Sequence, residues 1–144
     1  DLSDANLSDA NLWNANLCNA DLRGEKTDLP SLHDHVSILP AGVLVGWKKA
    51  YAEHPVIVRL SIPADARRSN ATGRKCRCDK ATVVDMRLID GTPFEGEAAS
   101  ANDPDFKYRA GDVISVPDFD DDVWNECDPG IHFFITGTEA REYQ

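Results

Sequence analysis

The sequence predicts a mainly β protein in two parts, a short square coil of repeats followed by a β-rich (α+β) globular domain. Two observations predict this class. Leucine recurs at every fifth position over residues 1–25, and short apolar runs with alternating polarity follow from residue 41 onward. Helical signals are few. We therefore divide the chain into repeats at 1–25, a linker at 26–40 and a β-rich domain at 41–144.

The first part consists of the pentapeptides DLSDA, NLSDA, NLWNA, NLCNA and DLRGE. A helix would scatter every fifth residue around its axis, and a strand would place successive leucines on alternate faces. The chain must therefore turn a corner every five residues, and four corners close a square coil. Leucine and alanine occupy the inward positions, which are Leu2, Ala5, Leu7, Ala10, Leu12, Ala15, Leu17, Ala20 and Leu22.

The spacing A(D/N)LXX, which begins at residues 5, 10, 15 and 20, resembles the motif of the pentapeptide-repeat family. The resemblance implies a right-handed quadrilateral β-helix, a solenoid in which each coil is buried only by its neighbours. The repeats present make little more than one coil. We expect either a fragment of a longer solenoid or an open end that another part of the molecule or another subunit covers.

Charge and hydropathy exclude several classes of function. The formal net charge is -10, with 15 Lys and Arg against 25 Asp and Glu, which disfavours direct binding to nucleic acid or an anionic membrane. No apolar stretch approaches the roughly 20 residues of a membrane span. Some pentapeptide-repeat proteins mimic DNA in the groove of gyrase, but each coil rises only about 4.8 Å. This repeat is too short for DNA mimicry.

The second part contains seven apolar runs that predict strands, at 43–47, 55–62, 75–78, 81–89, 106–108, 113–116 and 131–135. We predict a helical turn at 64–69, a flexible loop at 69–73, a mobile polar segment at 95–105 and a terminal helical turn at 138–143 capped by Thr138. The linker is expected to pack on this domain through Leu32, Val36, Ile38 and Leu39. An α+β or small-barrel arrangement satisfies these elements.

A basic cluster at residues 73–80, with Arg67 and Arg68 upstream, stands out in the acidic chain. Such groups could hold a phosphate, a sugar acid or an acidic partner surface, so Arg74, Lys75 and Arg77 are binding candidates. Internal neutralisation is the alternative. An acidic run could face the cluster, formed by Asp118, Asp120, Asp121, Asp122, Glu126 and Asp128.

Cysteine and histidine raise further possibilities. Cys76, Cys78, Cys127 and His132 could together bind zinc, although their spacing fits no familiar zinc knuckle. Cys76 and Cys78 could instead be buried free thiols, or one of them could form a disulfide with Cys127. His132 could also act as the base for a Cys127 nucleophile. We predict no metal and no cofactor, and we keep Cys127 and His132 as binding candidates.

Five segments of the second part, GWKK at 46–49, VIVRLSIP at 56–63, GRKCR at 73–77, YRAG at 108–111 and CDPGIHFF at 127–134, are similar to an uncharacterised domain. In that family the domain follows pentapeptide repeats in bacteriophage and large-virus proteins. The resemblance covers residues 40–144 and implies a phage-type protein, located in the cytoplasm of a host cell or in a virion. It implies no activity.

The sequence thus favours a non-enzymatic structural or interaction protein, whose β-helical stem carries a capping or partner-binding domain and acts through a protein partner or self-association. The alternative is an enzyme or small-ligand domain with a site near Arg77, Cys127 and His132. Residues 130–134, followed by Ala140 and Tyr143, are similar to the Gly-Ile-Tyr-Phe segment of ADP-ribosyltransferases, which would imply NAD-dependent transfer. Only residues 141–144 remain where that fold continues to a catalytic glutamate.

Overall fold

The computed structural model describes residues 37–71 and 73–144, which are mainly β, as the sequence predicted. The predicted repeat core, with Leu32 and Val36 of the linker, lies outside the described residues. No helix within the described ranges is long and apolar enough to cross a membrane. The elements are β1 (Leu44–Tyr51), β2 (Pro55–Ile62), β3 (Arg68–Ser69), β4 (Cys76–Cys78), β5 (Lys80–Leu88), β6 (Ala98–Ala99), β7 (Lys107–Tyr108), β8 (Val113–Ser115), β9 (Ile131–Phe133) and α1 (Gly137–Glu142).

The strands form two antiparallel sheets. The larger sheet has the order β7-β6-β1-β2-β5-β8, and the smaller has the order β3-β4-β9. The centre of the larger sheet is the β1–β2 hairpin, in which Leu44 pairs with Ile62 and Tyr51 with Pro55. Strand β5 continues the sheet on the other side of β2, with a bulge at Arg59/Leu60.

Backbone pairing joins the two sheets into a closed circuit. Only Asp79 separates β4 from β5, so one nearly continuous strand contributes to both sheets. Strand β9 pairs with β4. Phe134, immediately after β9, then exchanges two backbone hydrogen bonds with Trp47 of β1, at N···O distances of 2.7 and 2.8 Å. The path β1-β2-β5-β4-β9 returns to β1, which is the small-barrel arrangement among those that the sequence favoured.

The main core fills the inside of this circuit. The alternating side chains of β2 point inward, and Val56, Val58, Leu60 and Ile62 are each 0% exposed. On the opposite face of β2, Ile57 is also buried, because Phe134, Trp47 and Ala140 of α1 pack over it. The alternation in the sequence therefore predicted the inward face of β2 correctly, whereas the cover on its outer face comes from distant segments.

Several predicted local structures differ from those observed. The predicted helical turn at 64–69 is wrong at its end, because Arg68 and Ser69 form β3 and pair with β4. The polar segment at 95–105 contains β6, which pairs with both β1 and β7. These two-residue strands have no apolar run of their own, so only long-range pairing creates them.

Asn70 holds the entry to the domain in place, where the sequence predicted a flexible loop. Its side chain is buried, and its Oδ1 accepts a hydrogen bond from the Ile38 amide at 3.0 Å. Its Nδ2 donates to the carbonyls of Gly73 at 2.9 Å and Lys75 at 3.2 Å. Ile38 and Leu39 pack against the main core, as predicted for this part of the linker.

The N-cap of α1 is Thr136, not the predicted Thr138. The Thr136 hydroxyl accepts a hydrogen bond from the Glu139 amide at 3.3 Å and donates to the Glu139 carboxylate at 2.8 Å. We expect Thr136→Ala to lower the free energy of unfolding by about 1 kcal/mol in urea denaturation. Thr138→Ala is the matched control, and an equal loss in both variants would contradict the assignment of the cap.

Gly46 permits close contact between β1 and the smaller sheet. A Cβ at this position would lie 2.7 Å from Cδ2 of Phe133 and 3.0 Å from Cδ1 of Ile62. Because both side chains are fully buried, we expect Gly46→Ala to lower the free energy of unfolding by about 1–3 kcal/mol. Gly73→Ala is the control, since its new Cβ would meet no atom closer than 3.9 Å. Comparable unfolding midpoints for the two variants would refute this prediction.

Candidate functional site

Arg77, a predicted binding residue, lies inside the domain. It is 1% exposed and projects from β4 into the loop of residues 117–130. Its Nη1 and Nη2 atoms donate four hydrogen bonds, to the carbonyls of Asp120 at 3.1 Å, Asp122 at 3.0 Å and Pro129 at 2.9 Å, and to the Ser69 hydroxyl at 3.2 Å. Its Nε has no hydrogen-bond partner among the described residues.

The loop is therefore folded around the guanidinium of Arg77. The centre of the guanidinium lies 5.2 Å from the ring centroid of Phe119. Gly130 also lies against this side chain, because a Cβ added to Gly130 would be 3.1 Å from the Cβ of Arg77. Burial lowers the pKa of Arg77, while the neighbouring carboxylates act in the opposite direction. A group held in this way crosslinks the loop and offers no free face to a ligand, which corrects the binding role predicted for Arg77.

Most of the basic cluster is neutralised within the domain. Arg67 pairs with Asp79 at 3.1 Å and with Asp121 at 3.2 Å. Arg74, another predicted binding residue, pairs with Glu139 of α1. Internal neutralisation, which was the alternative to a binding cluster, therefore describes these two arginines.

The cysteines and His132 do not form a metal site. Cys76 and Cys78 are free thiols, each 0% exposed, and they face the core opposite Phe133 and Ile131. Burial raises the pKa of each thiol to about 12. His132 pairs with Arg77, so its side chain lies on the other face of the small sheet. Within the described part of the chain, no group of three or more His, Cys, Asp or Glu residues could hold a metal ion.

Of the alternatives that the sequence left open, a disulfide between Cys127 and either of these thiols is not formed, because Cys76 and Cys78 are both free. His132 is poorly suited to act as a base for Cys127. Burial lowers its pKa to about 4, and its Nε2 lies 3.0 Å from the Asp128 carbonyl oxygen. The imidazole is therefore neutral near pH 7, and its Nε2–H donates to that carbonyl.

A cleft of about 740 Å³ opens beside β1. On the edge of β1 that faces away from β2, Trp47 pairs with Phe134 and Tyr51 pairs with Ala99. Lys49 lies between these two pairings, and no described strand pairs with it on that edge. The cleft occupies this gap, and its walls come from residues 100–103, 115–118, 127–130 and 143–144, with Phe106, Tyr108 and Phe134.

Lys48 reaches this cleft from an unusual position. It lies on the inward face of β1, in alternation with Gly46 and Ala50 and directly opposite the buried Val58. Its Nζ lies 5.8 Å from the ring centroid of Tyr108. Burial and, to a smaller extent, the charge of Lys75 lower the pKa of Lys48 to about 8.

No carboxylate among the described residues forms an ion pair with Lys48 or Lys75, although the Lys80, Arg59 and Arg109 side chains all have such partners. Asp103, Asp118 and Asp128 line the same cleft without reaching either ammonium group. Lys49 differs, because its Nζ donates to the Tyr143 carbonyl. Lys48 and Lys75 thus both line the cleft without an ion-pair partner among the described carboxylates, and acidic side chains line the same cleft.

Three of the five predicted binding residues, Lys75, Cys127 and His132, line this cleft. Arg74 and Arg77 do not. Sequence reasoning missed Lys48 and Tyr108. One signal for Lys48 was present, because the small residues Gly46 and Ala50 on either side of it show that this register of β1 faces a crowded interior.

The described residues form a β-rich domain with a cleft beside β1. Pentapeptide repeats (8 copies) match residues 1–24. The chain belongs to the Family of unknown function (DUF5758), which matches residues 35–140. The predicted layout, pentapeptide repeats followed by an uncharacterised domain, is thereby confirmed. No curated protein and no solved structure matches the chain.

Proposed function

We propose that this is a non-enzymatic interaction protein, in which the repeats form a right-handed quadrilateral β-helical stem and the β-rich domain binds an anionic group of a protein partner in its lysine cleft. Lys48 carries this proposal. It is an inward-facing lysine without an ion-pair partner among the described residues, in a chain with 25 acidic side chains.

The energetics of Lys48 support binding. Lys48 is half-buried, and a cation partly removed from water without a counter-ion destabilises the folded protein. Perturbed groups of this kind cluster at functional sites. A carboxylate or phosphate that enters the cleft would supply the missing counter-ion. The same change would restore the pKa of Lys48 toward its ordinary value.

The other groups in and near the cleft favour binding over catalysis. A histidine with a pKa of about 4 is a weak base near neutral pH. The Cys76 and Cys78 thiols are buried and protonated, so they are poor nucleophiles. Neither His132 nor the two thiols are therefore suited to transfer a proton to or from a molecule bound at Lys48.

Stem and domain are close together in the chain. Ile38 and Leu39 pack on the core, so twelve residues, 26–37, separate the last pentapeptide from the packed part of the domain in the sequence. This supports a capping role for the domain beside its binding role. We extend the proposal to the phage type and to a location in the host cytoplasm or a virion, which the resemblance implied.

The proposal is tested by titrating the 144-residue chain with inorganic phosphate and with acetate at pH 7, using NMR of the lysine side chains. We expect saturable shifts at Lys48 and Lys75 and a rise in the pKa of Lys48 on saturation. Lys107→Met is the matched control, since Lys107 is an outer lysine that lies 3.8 Å from Glu97. It should bind as the wild type does, whereas Lys48→Met should not.

Two results would overturn the proposal. The first is the absence of any saturable shift at Lys48 at concentrations where phosphate and acetate remain soluble. The second is a shift of equal size at Lys48 and Lys107, because that would show only general screening of surface charge.

A further inference from the structure

We infer that the cleft takes the C-terminal end of a peptide chain, with its carboxylate against Lys48 and Lys75 and its last residue beside the open edge of β1 at Lys49. This inference rests on the proposed function, because it names the anion that the cleft binds. Three features of the cleft lead to it: the open strand edge, the closed ends of that edge, and the mixture of charges and apolar side chains.

The open edge supplies main-chain hydrogen bonds. Alternate residues of a strand direct their N–H and C=O groups to opposite sides. Trp47 bonds to Phe134 on the side away from β2, so Lys49, two residues later, directs its N–H and C=O to the same side. These groups are available to the main chain of a peptide, as in recognition by addition of a β-strand.

The ends of this edge limit what can bind. Phe134 occupies the edge at Trp47, and Ala99 occupies it at Tyr51. The stretch between these pairings spans only roughly 13 Å at the rise of a β-strand. A strand that continued in both directions would collide with these segments. The end of a chain, with two or three residues in the gap, fits without displacing either segment.

The charges favour one carboxylate over a polyanion. Lys48 and Lys75 provide positive charge, but Asp103, Asp118 and Asp128 line the same cleft and would repel a nucleotide or a nucleic acid. Phe106, Tyr108 and Val116 add apolar surface for the last side chain. A C-terminal residue with an apolar side chain combines a single negative charge with that surface.

Calorimetry with blocked peptides tests this inference on the 144-residue chain. The probe is acetyl-Gly-Thr-Thr-Ala-Leu with a free carboxylate. Its C-terminal amide should bind at least about tenfold more weakly, since the amide lacks the negative charge that strengthens a hydrogen bond to an ammonium group. Methylation of the leucine amide nitrogen should also weaken binding if the main chain pairs with Lys49. Lys48→Met and Lys75→Met should lose binding, and Lys107→Met should retain it.

The outcomes separate this inference from the proposed function. If phosphate or acetate shifts Lys48 but the free-acid peptide does not bind, the cleft binds anions and the inference is wrong. Equal affinity for the free acid and its amide also overturns it, as does equal affinity for an amidated peptide with an internal glutamate. If neither simple anions nor the peptide bind, both the inference and the proposed function fail.

Discussion

Replacement of Arg77 by methionine is expected to lower the free energy of unfolding by about 4 kcal/mol, because each buried acceptor that loses its partner costs about 1–3 kcal/mol. Three carbonyls of the 117–130 loop and the Ser69 hydroxyl lose their donor together. Methionine keeps the apolar stem of the side chain but not the guanidinium, so the variant loses the hydrogen bonds, the charge and the volume of that group. Urea denaturation of the 144-residue chain measures the effect.

The fluorescence of Trp124 reports on the structure of the 117–130 loop in Arg77→Met. Trp124 lies in the loop that Arg77 crosslinks and is 7% exposed, so its fluorescence should move toward that of a solvated indole. Arg74→Met is the matched control, because it removes a nearby arginine whose ion pair is partly exposed and is expected to cost about 1 kcal/mol or less. Equal losses in the two variants would show that Arg77 does not organise the loop. Arg77→Lys tests the geometry separately, since it keeps the charge but not the planar fork.

Replacement of Lys48 by methionine should stabilise the protein at pH 7 by about 3 kcal/mol, at 1.36 kcal/mol for each unit of pKa difference. The pKa of Lys48 is about 8 in the folded protein because of burial, and it returns to its ordinary value on unfolding. Between these two values the unfolded chain binds more protons than the folded one. The penalty from Lys48 is therefore complete below pH 8 and decreases as the pH rises above 8.

The advantage of Lys48→Met over the wild type should accordingly narrow between pH 8 and pH 10.5. Lys75, His132, Tyr108 and Cys78 are the neighbouring charged and titratable groups. Burial raises the pKa of the Cys78 thiol and the Tyr108 hydroxyl, so both groups lower the stability of the folded protein at alkaline pH. This effect is the same in the wild type and the variant. The difference in unfolding free energy, measured in urea at several pH values, isolates Lys48. A destabilised variant, or a difference that does not change with pH, would contradict the prediction.

Stability gained together with loss of anion binding would be a trade-off between fold and function. Lys107→Met should change neither property. The comparison therefore separates a lysine retained for binding from one that contributes only surface charge.

The sequence predicted those elements whose cause is local. Strand β2 was predicted with its observed limits, because Pro55 begins it and four alternating apolar residues continue to Ile62. Strands β3 and β6 were missed, because each has two residues and exists only through pairing with distant partners. Thr136 and Thr138 both precede helical residues, and only the backbone conformation of Thr136 identifies it as the cap.

The site was predictable only in part for a related reason. A basic residue in a strand can face solvent, a core or a covering loop, and the sequence near Arg77 does not reveal that residues 117–130 fold over it. Lys75, Cys127 and His132 were chosen for their chemistry, and the pairing of β4 with β9 places their segments side by side. Lys48 belongs to the same cleft through the register of β1 with β2, which requires the pairing as well as the pattern.

The contact between Trp47 and Phe134 has a consequence for synthesis of the chain. These residues belong to the first strand of the domain and to the segment after its last strand, and their two hydrogen bonds complete the barrel circuit. A ribosome must therefore translate nearly the whole domain before the circuit can close. Contacts between such distant positions slow folding, because a long loop must be ordered before they form. Until then, the nascent chain exposes β1 and its neighbours to chaperones and to other nascent chains.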